Sequence, residues 1–277
     1  MPESPEVDAL VGFLDDSLRG RRITGIEVVE FRAWKSRDRP PESFIGAPVT
    51  GVRRFGKHVA LLTDRDDLVI GLGRAGWIRI RATGDAAAAE DEPPAIVGFA
   101  FDDGTTLEVT DAGEWLSIAV TAAEDPVLAG SVARLGPDPL GQTYTRADFD
   151  RALGTRRKQL KALLQEQQSM AGIGNAYSDE ILHAAGLSPV VRASDLDDAE
   201  RDRLYAAVRT VLSDAARDRR GIPISDQKAA KVAAMRVHGR TGEPCPVCGV
   251  AIEDLPGSKG GAQYCPGCQT GGVPLGG

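Results

Sequence analysis

Four cysteines stand together near the end of the chain, as Cys245-Pro246-Val247-Cys248 and, beyond residues 249–264, Cys265-Pro266-Gly267-Cys268. Two C-x2-C pairs with a spacer of this length form a zinc-binding pattern. Their thiolates can converge on one tetrahedral Zn2+ at roughly 2.3 Å. Four sulfur ligands leave no place for water, so the expected ion is structural, one per chain. A disulfide framework would scatter its cysteines and call for an export signal, which this sequence does not show.

The other reactive stretch is Met1-Pro2-Glu3-Ser4-Pro5-Glu6. Removal of Met1 would leave Pro2 as a secondary amine. A free α-amino group titrates at roughly 7.7–8.0, so part of it is neutral at cellular pH. Such an amine can attack an electrophilic sugar carbon and form an iminium. The adjoining Glu3 carboxyl has the right chemistry for proton transfer. Taken alone, these six residues favour a plainer reading, a common Met-Pro start and a common helix opener. Lys57, in Arg53-Arg54-Phe55-Gly56-Lys57-His58, is either a solvent-facing strand lysine or a proton donor or acceptor near that amine. His58 alternates to the opposite face, and no catalysis is expected from it. Gly172-Ile173-Gly174, ahead of a helix, allows a backbone to approach an anion. A tight helix–helix turn needs glycine equally. It is not a dinucleotide fingerprint, because no strand precedes it and the third glycine is missing.

The elements around these groups can be read from spacing. Ser4 as N-cap, Pro5 at the first helical position and Glu6 at the positive end begin a helix. Val7, Leu10, Val11, Leu14 and Leu18 lie on one face, and Gly20 ends it. Residues 22–125 alternate like short strands, at 23–29, 49–55, 58–62, 68–72, 77–80, 96–101, 106–109 and 115–120. Glycine and aspartate turns separate them. No helix-length pattern intervenes, so a sandwich or barrel-like domain is expected. Residues 86–94 read as a flexible loop. Leu135-Gly136-Pro137-Asp138-Pro139-Leu140 is a linker, followed by helices ending near 153 and spanning 157–167, 176–185 and 196–217.

At 277 residues the chain has room for about two domains. Hydrophobic residues at 42% and charged residues at 26% are ordinary for a soluble protein, and no apolar run is long enough for a membrane span. A cytoplasmic location is expected. The net charge of −7 weighs mildly against a nucleic-acid partner. Binding, however, depends on a local patch rather than on the sum. Basic residues do cluster, at Arg156-Arg157-Lys158, Lys161, Arg217, Arg219, Arg220, Lys228, Lys231, Arg236 and Arg240.

Together these parts resemble the formamidopyrimidine-DNA glycosylase/endonuclease VIII family, over nearly the whole chain. The resemblance rests on Pro2-Glu3 with Pro5-Glu6, on Lys57 before a strand, and on a helix–two-turns–helix signature. That signature runs from Lys161 through Gly172-Ile173-Gly174-Asn175-Ala176-Tyr177 to Asp179-Glu180. It rests also on His238-Gly239-Arg240-Thr241-Gly242-Glu243-Pro244-Cys245 leading into the cysteine ribbon. The resemblance implies an α+β multidomain chain. Its parts are an N-terminal β-sandwich with an N-terminal helix (residues 1–130), a helix–two-turns–helix DNA-binding domain (131–235) and a C-terminal zinc β-ribbon (236–277). It implies a monomeric DNA glycosylase and abasic-site lyase whose partner is double-stranded DNA with damaged bases or abasic sites. Pro2, Glu3 and Lys57 would be catalytic. Lys161, Asn175 and Lys259 would hold phosphates, and Arg74 would fill the void left by an extruded base.

The chain departs from the family pattern at several points. Gly260, beside Lys259, stands where the ribbon usually presents an arginine. Asp111-Ala112-Gly113-Glu114-Trp115-Leu116 replaces the usual Asp-Pro-Arg-Arg-Phe-Gly, with Trp115 in the place of the wedge aromatic. Arg74 replaces an intercalating methionine, and Ile96 stands near the place of a DNA-contacting histidine. Residues 219–228 are short and lack the aromatics expected over a purine, so oxidised pyrimidines are the expected substrates. A second reading is a zinc-ribbon protein that binds abasic or damaged DNA and is catalytically weak or silent.

Overall fold

The computed structural model describes residues 2–82, 84, 92–258 and 261–276. It divides into two compact units. The first comprises Pro2, Glu6–Arg134 and Arg220–Ser225, and the second Glu3–Pro5, Leu135–Arg219 and Asp226–Gly277.

The chain opens on α1 (Ser4–Leu18), in which Val7, Leu10, Leu14 and Leu18 are fully buried. Eight strands follow: β1 (Ile23–Val28), β2 (Val49–Phe55), β3 (His58–Thr63), β4 (Asp67–Gly71), β5 (Gly76–Arg81), β6 (Ala95–Phe101), β7 (Thr106–Asp111) and β8 (Ala119–Ala123). They form two four-stranded antiparallel sheets, ordered β1-β6-β7-β5 and β2-β3-β4-β8. Alternate residues face inward, as Val97, Phe99 and Phe101 do in β6. They join Val59, Leu61, Leu68 and Ile70 of the other sheet in one core, so this part is a β-sandwich. Phe55 pairs with His58, which leaves Gly56-Lys57 as a two-residue hairpin loop, and Gly56 takes the left-handed φ of 54° that such a turn requires.

One expected strand is displaced. Residues 115–118 do not join a ladder; β8 begins at Ala119. The Asp111 carboxylate accepts hydrogen bonds from Gly113 N (3.0 Å), Ser117 N (2.8 Å) and Ser117 Oγ (2.9 Å). It thereby satisfies the backbone off the sheet and curls this stretch into a loop. The expected loop at 86–94 lies largely outside the described residues.

The second unit carries α2 (Arg146–Leu153), α3 (Leu160–Leu164), α4 (Asn175–Ala185), α5 (Asp198–Arg219) and α6 (Gln227–Ala234). A ribbon of β9 (Glu253–Asp254) and β10 (Gln263–Tyr264) and the short α7 (Pro266–Gln269) complete it. Thr145 and Asp148 form a reciprocal capping box at the start of α2. The helix expected at 157–167 shrinks to five residues. Ahead of it, Leu160 N bonds Val191 O, Ala193 N bonds Lys158 O and Ser194 N bonds Arg156 O. Residues 156–160 thus spend their polar groups on an extended pairing. Among the described residues, no helix is long and apolar enough to cross a membrane.

Candidate active site and metal centre

Within the second unit the backbone turns twice before α4, with Gly172 at φ 93°. This turn presents the N-terminal amides of α4 to one side chain. Glu3, 1% exposed, accepts hydrogen bonds from the N–H groups of Gly174, of Ala176 (3.1 Å) and of Tyr177 (3.4 Å). A helix N-terminus stabilises negative charge, so this arrangement suits the carboxylate. Ser4 N also bonds Gly172 O at 3.0 Å. The glycine turn therefore does bind an anion, and that anion is the protein's own Glu3. Lys231 Nζ stands 3.1 Å from Glu3 Oε1. On sequence, Lys231 counted only among the clustered basic residues. The structure forms α6 there, a helix that the sequence spacing did not predict.

Lys161 and Asn175 both engage partners within the protein. Lys161 is 7% exposed, and its Nζ bonds Asp179 Oδ1 (2.5 Å), Ser178 Oγ (3.0 Å) and the Asn175 carbonyl (3.2 Å). Burial lowers the Lys161 pKa, and the Asp179 charge opposes that shift. Lys161 is thus spent within the protein and fixes the first turn of α4. We expect Lys161→Met to cost about 3–5 kcal/mol in denaturant unfolding, because it strands buried Asp179. A loss below about 1 kcal/mol would contradict this placement. Asn175 Nδ2 donates to Gly261 O at 2.6 Å, which ties the start of α4 to the ribbon. Lys259 and Gly260 lie outside the described residues.

The middle of α4 holds the segment ahead of the cysteines. Glu180 accepts the N–H groups of Arg236, Val237 and His238 at 2.9–3.1 Å. Asp179 Oδ2 meets His238 Nδ1 at 2.8 Å and Gln263 N at 3.2 Å. At the far end of the helix, His183 Nε2 lies 3.3 Å from Cys245 Sγ.

The four cysteines converge as expected. Cys245 and Cys268 sulfurs are 3.8 Å apart, and those of Cys248 and Cys265 are 3.3 Å apart. Ligand atoms of His183, Cys245, Cys265 and Cys268 all lie within 4.8 Å of one another. Tetrahedral ligands at roughly 2.3 Å from a metal sit at such mutual distances. Burial and the neighbouring thiols push Cys265 and Cys268 up. Burial acts the same way on Cys245, but the N–H groups of Cys248 and Val247 outweigh it and bring that thiol down to about 6. A bound cation would relieve this crowding of sulfurs. Sequence reasoning missed His183, whose closeness to the cysteines is purely tertiary.

In the first unit, Pro2 is buried and Lys57 is half-buried in its hairpin turn. Arg74 is exposed in the turn after β4, and its N–H donates to Ser117 Oγ at 3.1 Å. Ala112 N bonds Ala75 O at 3.2 Å. These bonds bind the Arg74 turn to the loop that carries Trp115, which is 83% exposed. An exposed tryptophan on a braced loop is available to stack on another flat ring.

The basic clusters are partly neutralised. Arg156 and Lys158 grip Glu166 at 2.7 and 2.8 Å and, with Ser169, hold its pKa at about 2. Arg217 pairs with Asp214, and Arg240 with Glu243. Arg157, Lys228 and Arg236 carry no ion pair among the described residues.

The profile of the formamidopyrimidine-DNA glycosylase N-terminal domain matches residues 1–115, and that of the formamidopyrimidine-DNA glycosylase H2TH domain matches residues 135–226. A formamidopyrimidine-DNA glycosylase of Heliobacterium modesticaldum is 35% identical over 97% of this chain and 100% of its own length. The crystal structure of the MutM (Fpg) protein of Thermus thermophilus is 29% identical, covers 99% of this chain and 100% of that one, and superposes with a TM-score of 0.81. The wild-type Lactococcus lactis Fpg, solved in complex with DNA containing an oxidised pyrimidine, is 25% identical. It covers 97% of this chain and 99% of its own, with a TM-score of 0.84.

Proposed function

Because this chain belongs to the formamidopyrimidine-DNA glycosylase family, we propose that it excises oxidised bases from double-stranded DNA and cleaves the resulting abasic strand. The observation that carries the reading is the Glu3 carboxylate clasped by the amides of Gly174, Ala176 and Tyr177. It fixes the peptide from which Pro2 starts.

With Met1 removed, the Pro2 nitrogen attacks C1′ of the damaged nucleoside. The C1′–base bond breaks, the base leaves with a proton, and the sugar ring opens to an iminium. Loss of a C2′ proton then breaks the C3′–oxygen bond and cuts the strand, and water releases Pro2. Glu3, next to Pro2 in the sequence, is a carboxylate suited to stabilise the cationic sugar and to take up a proton. Lys57 assists base loss or strand cleavage. Asn175 and Lys259 hold phosphates, with Lys161 acting through Asn175. Arg74 and Trp115 occupy the void of the extruded nucleotide, which is cheapest to unstack when damaged. The ribbon holds one Zn2+ through Cys245, Cys248, Cys265 and Cys268, and a closed set of thiolates supplies folding energy rather than chemistry.

The test is borohydride reduction in the presence of an abasic duplex. A covalent adduct is expected. Binding without an adduct would favour the alternative, a silent protein that only recognises damage.

Lesion choice is proposed from the segment between α5 and α6. Residues 220–235 comprise a short link with one 3-10 turn (Ile224–Asp226), α6 and Met235, with no aromatic residue among them. A pocket that presents few hydrogen-bonding groups to a purine selects weakly for it. In single-turnover excision, 5-hydroxyuracil or thymine glycol should leave faster than 8-oxoguanine paired with cytosine. Faster 8-oxoguanine release would overturn this preference.

A further inference from the structure

We infer that Lys231 is a positioning residue of the active site, which holds Glu3 in its charged form and orients it through a direct ion pair. The inference rests on the proposed glycosylase and lyase reading and adds a residue to it. Lys231 Nζ is 3.1 Å from Glu3 Oε1, and the two side chains are 11% and 1% exposed. The same ammonium lies 4.7 Å from the centroid of the Tyr177 ring, so its position is defined by a carboxylate and by an aromatic face. The helix that bears it is anchored at its first residue, where Gln227 Nε2 donates to Arg219 O at 2.9 Å.

Two buried charges facing each other usually stabilise a fold less than apolar residues of the same size would. An ion pair at this place therefore invites a functional explanation. Glu3 already accepts amide hydrogens on both oxygens, from Ala176 on Oε1 and from Gly174 and Tyr177 on Oε2. Lys231 adds an ammonium to Oε1. Every one of these partners donates, so each favours the carboxylate over the acid. The two groups face each other as an ion pair. Glu3 then acts on the reacting sugar as a fixed anion beside a developing cation, and its 1% exposure limits screening by water. Without Lys231, Oε1 loses its charged donor, and the carboxylate is held less firmly in its charged form.

The test uses the full-length protein as Lys231→Met, Glu3→Gln and the double variant, with single-turnover excision at saturating enzyme. Lys231→Met should slow excision about ten- to hundredfold, the loss expected for one hydrogen bond to a charged group. Affinity for the lesion duplex should change by less than about threefold, since DNA need not touch this lysine. Lys231→Arg should recover part of the rate. In the Glu3→Gln background, removing Lys231 should have no further effect, because residues that act through one another are not additive. If methionine is not tolerated beside the carboxylate, the double variant contains neither charge, and its comparison with Glu3→Gln decides the matter. Excision by Lys231→Met at the wild-type rate, or a further loss in the double variant, would overturn the inference. A wild-type protein that neither excises nor is trapped would instead count against the proposed activity.

Discussion

A protein with residues fused ahead of Pro2 should form no borohydride-stable adduct with abasic DNA. The fusion converts the Pro2 nitrogen into an amide, whose lone pair is delocalised into the carbonyl and cannot attack carbon. Loss of a nucleophile typically costs several orders of magnitude, so lyase turnover should fall by roughly 10³-fold or more. Binding to the abasic duplex should persist, since the clasp on Glu3 uses the amides of α4 and needs no free terminus. Release of the extension by a site-specific protease that cuts before Pro2 should restore trapping. Undiminished trapping with the extension in place would move the nucleophile to a lysine. Lys57, half-buried in its hairpin turn, would be the first to test.

Cys265→Ser should remove the metal from the protein and unfold the ribbon. A structural zinc site contributes about 10–16 kcal/mol of apparent binding energy, which in such small modules is folding energy. Cys265 is fully buried, and its sulfur meets that of Cys248 at 3.3 Å, so oxygen in its place breaks the cluster from inside. Metal analysis should fall from one equivalent to near zero, and affinity for lesion DNA should fall with it. The β-sandwich has its own core and should keep its melting transition. Full DNA affinity in a metal-free variant would contradict the assignment. Replacement of zinc by cobalt separates two ligand sets. A charge-transfer spectrum for four thiolates is expected, whereas a Cys248→Ser variant that binds cobalt unchanged would give the fourth place to His183, which lies in the same cluster.

Much of this protein is determined locally and is legible from residue types and spacing. The spacing of the two C-x2-C pairs announced the cluster, although its sulfur contacts join cysteines 17 and 23 positions apart. The face of α1 is set by the spacing of Val7, Leu10, Leu14 and Leu18, and the period-two alternation of β6 by its inward residues. The capping box of α2 lies within four consecutive residues. In the helix face, the strand and the capping box the partners are close in the chain, so pattern and geometry are nearly the same information.

Tertiary structure alone decided the rest. Whether residues 157–159 turn into helix depended on partners at 191–194. Residues 115–118 left the sheet because Asp111 offered their backbone a local alternative. Lys161, on sequence an ordinary cation for a phosphate, met Asp179 and was buried. Glu3 meets amides more than a hundred and seventy positions away, and Lys231 reaches the same carboxylate from the other side of the sequence. The sequence names these ionisable groups but does not say which will be paired. A charge taken out of water must find a partner or lose its proton, and folding alone chooses that partner.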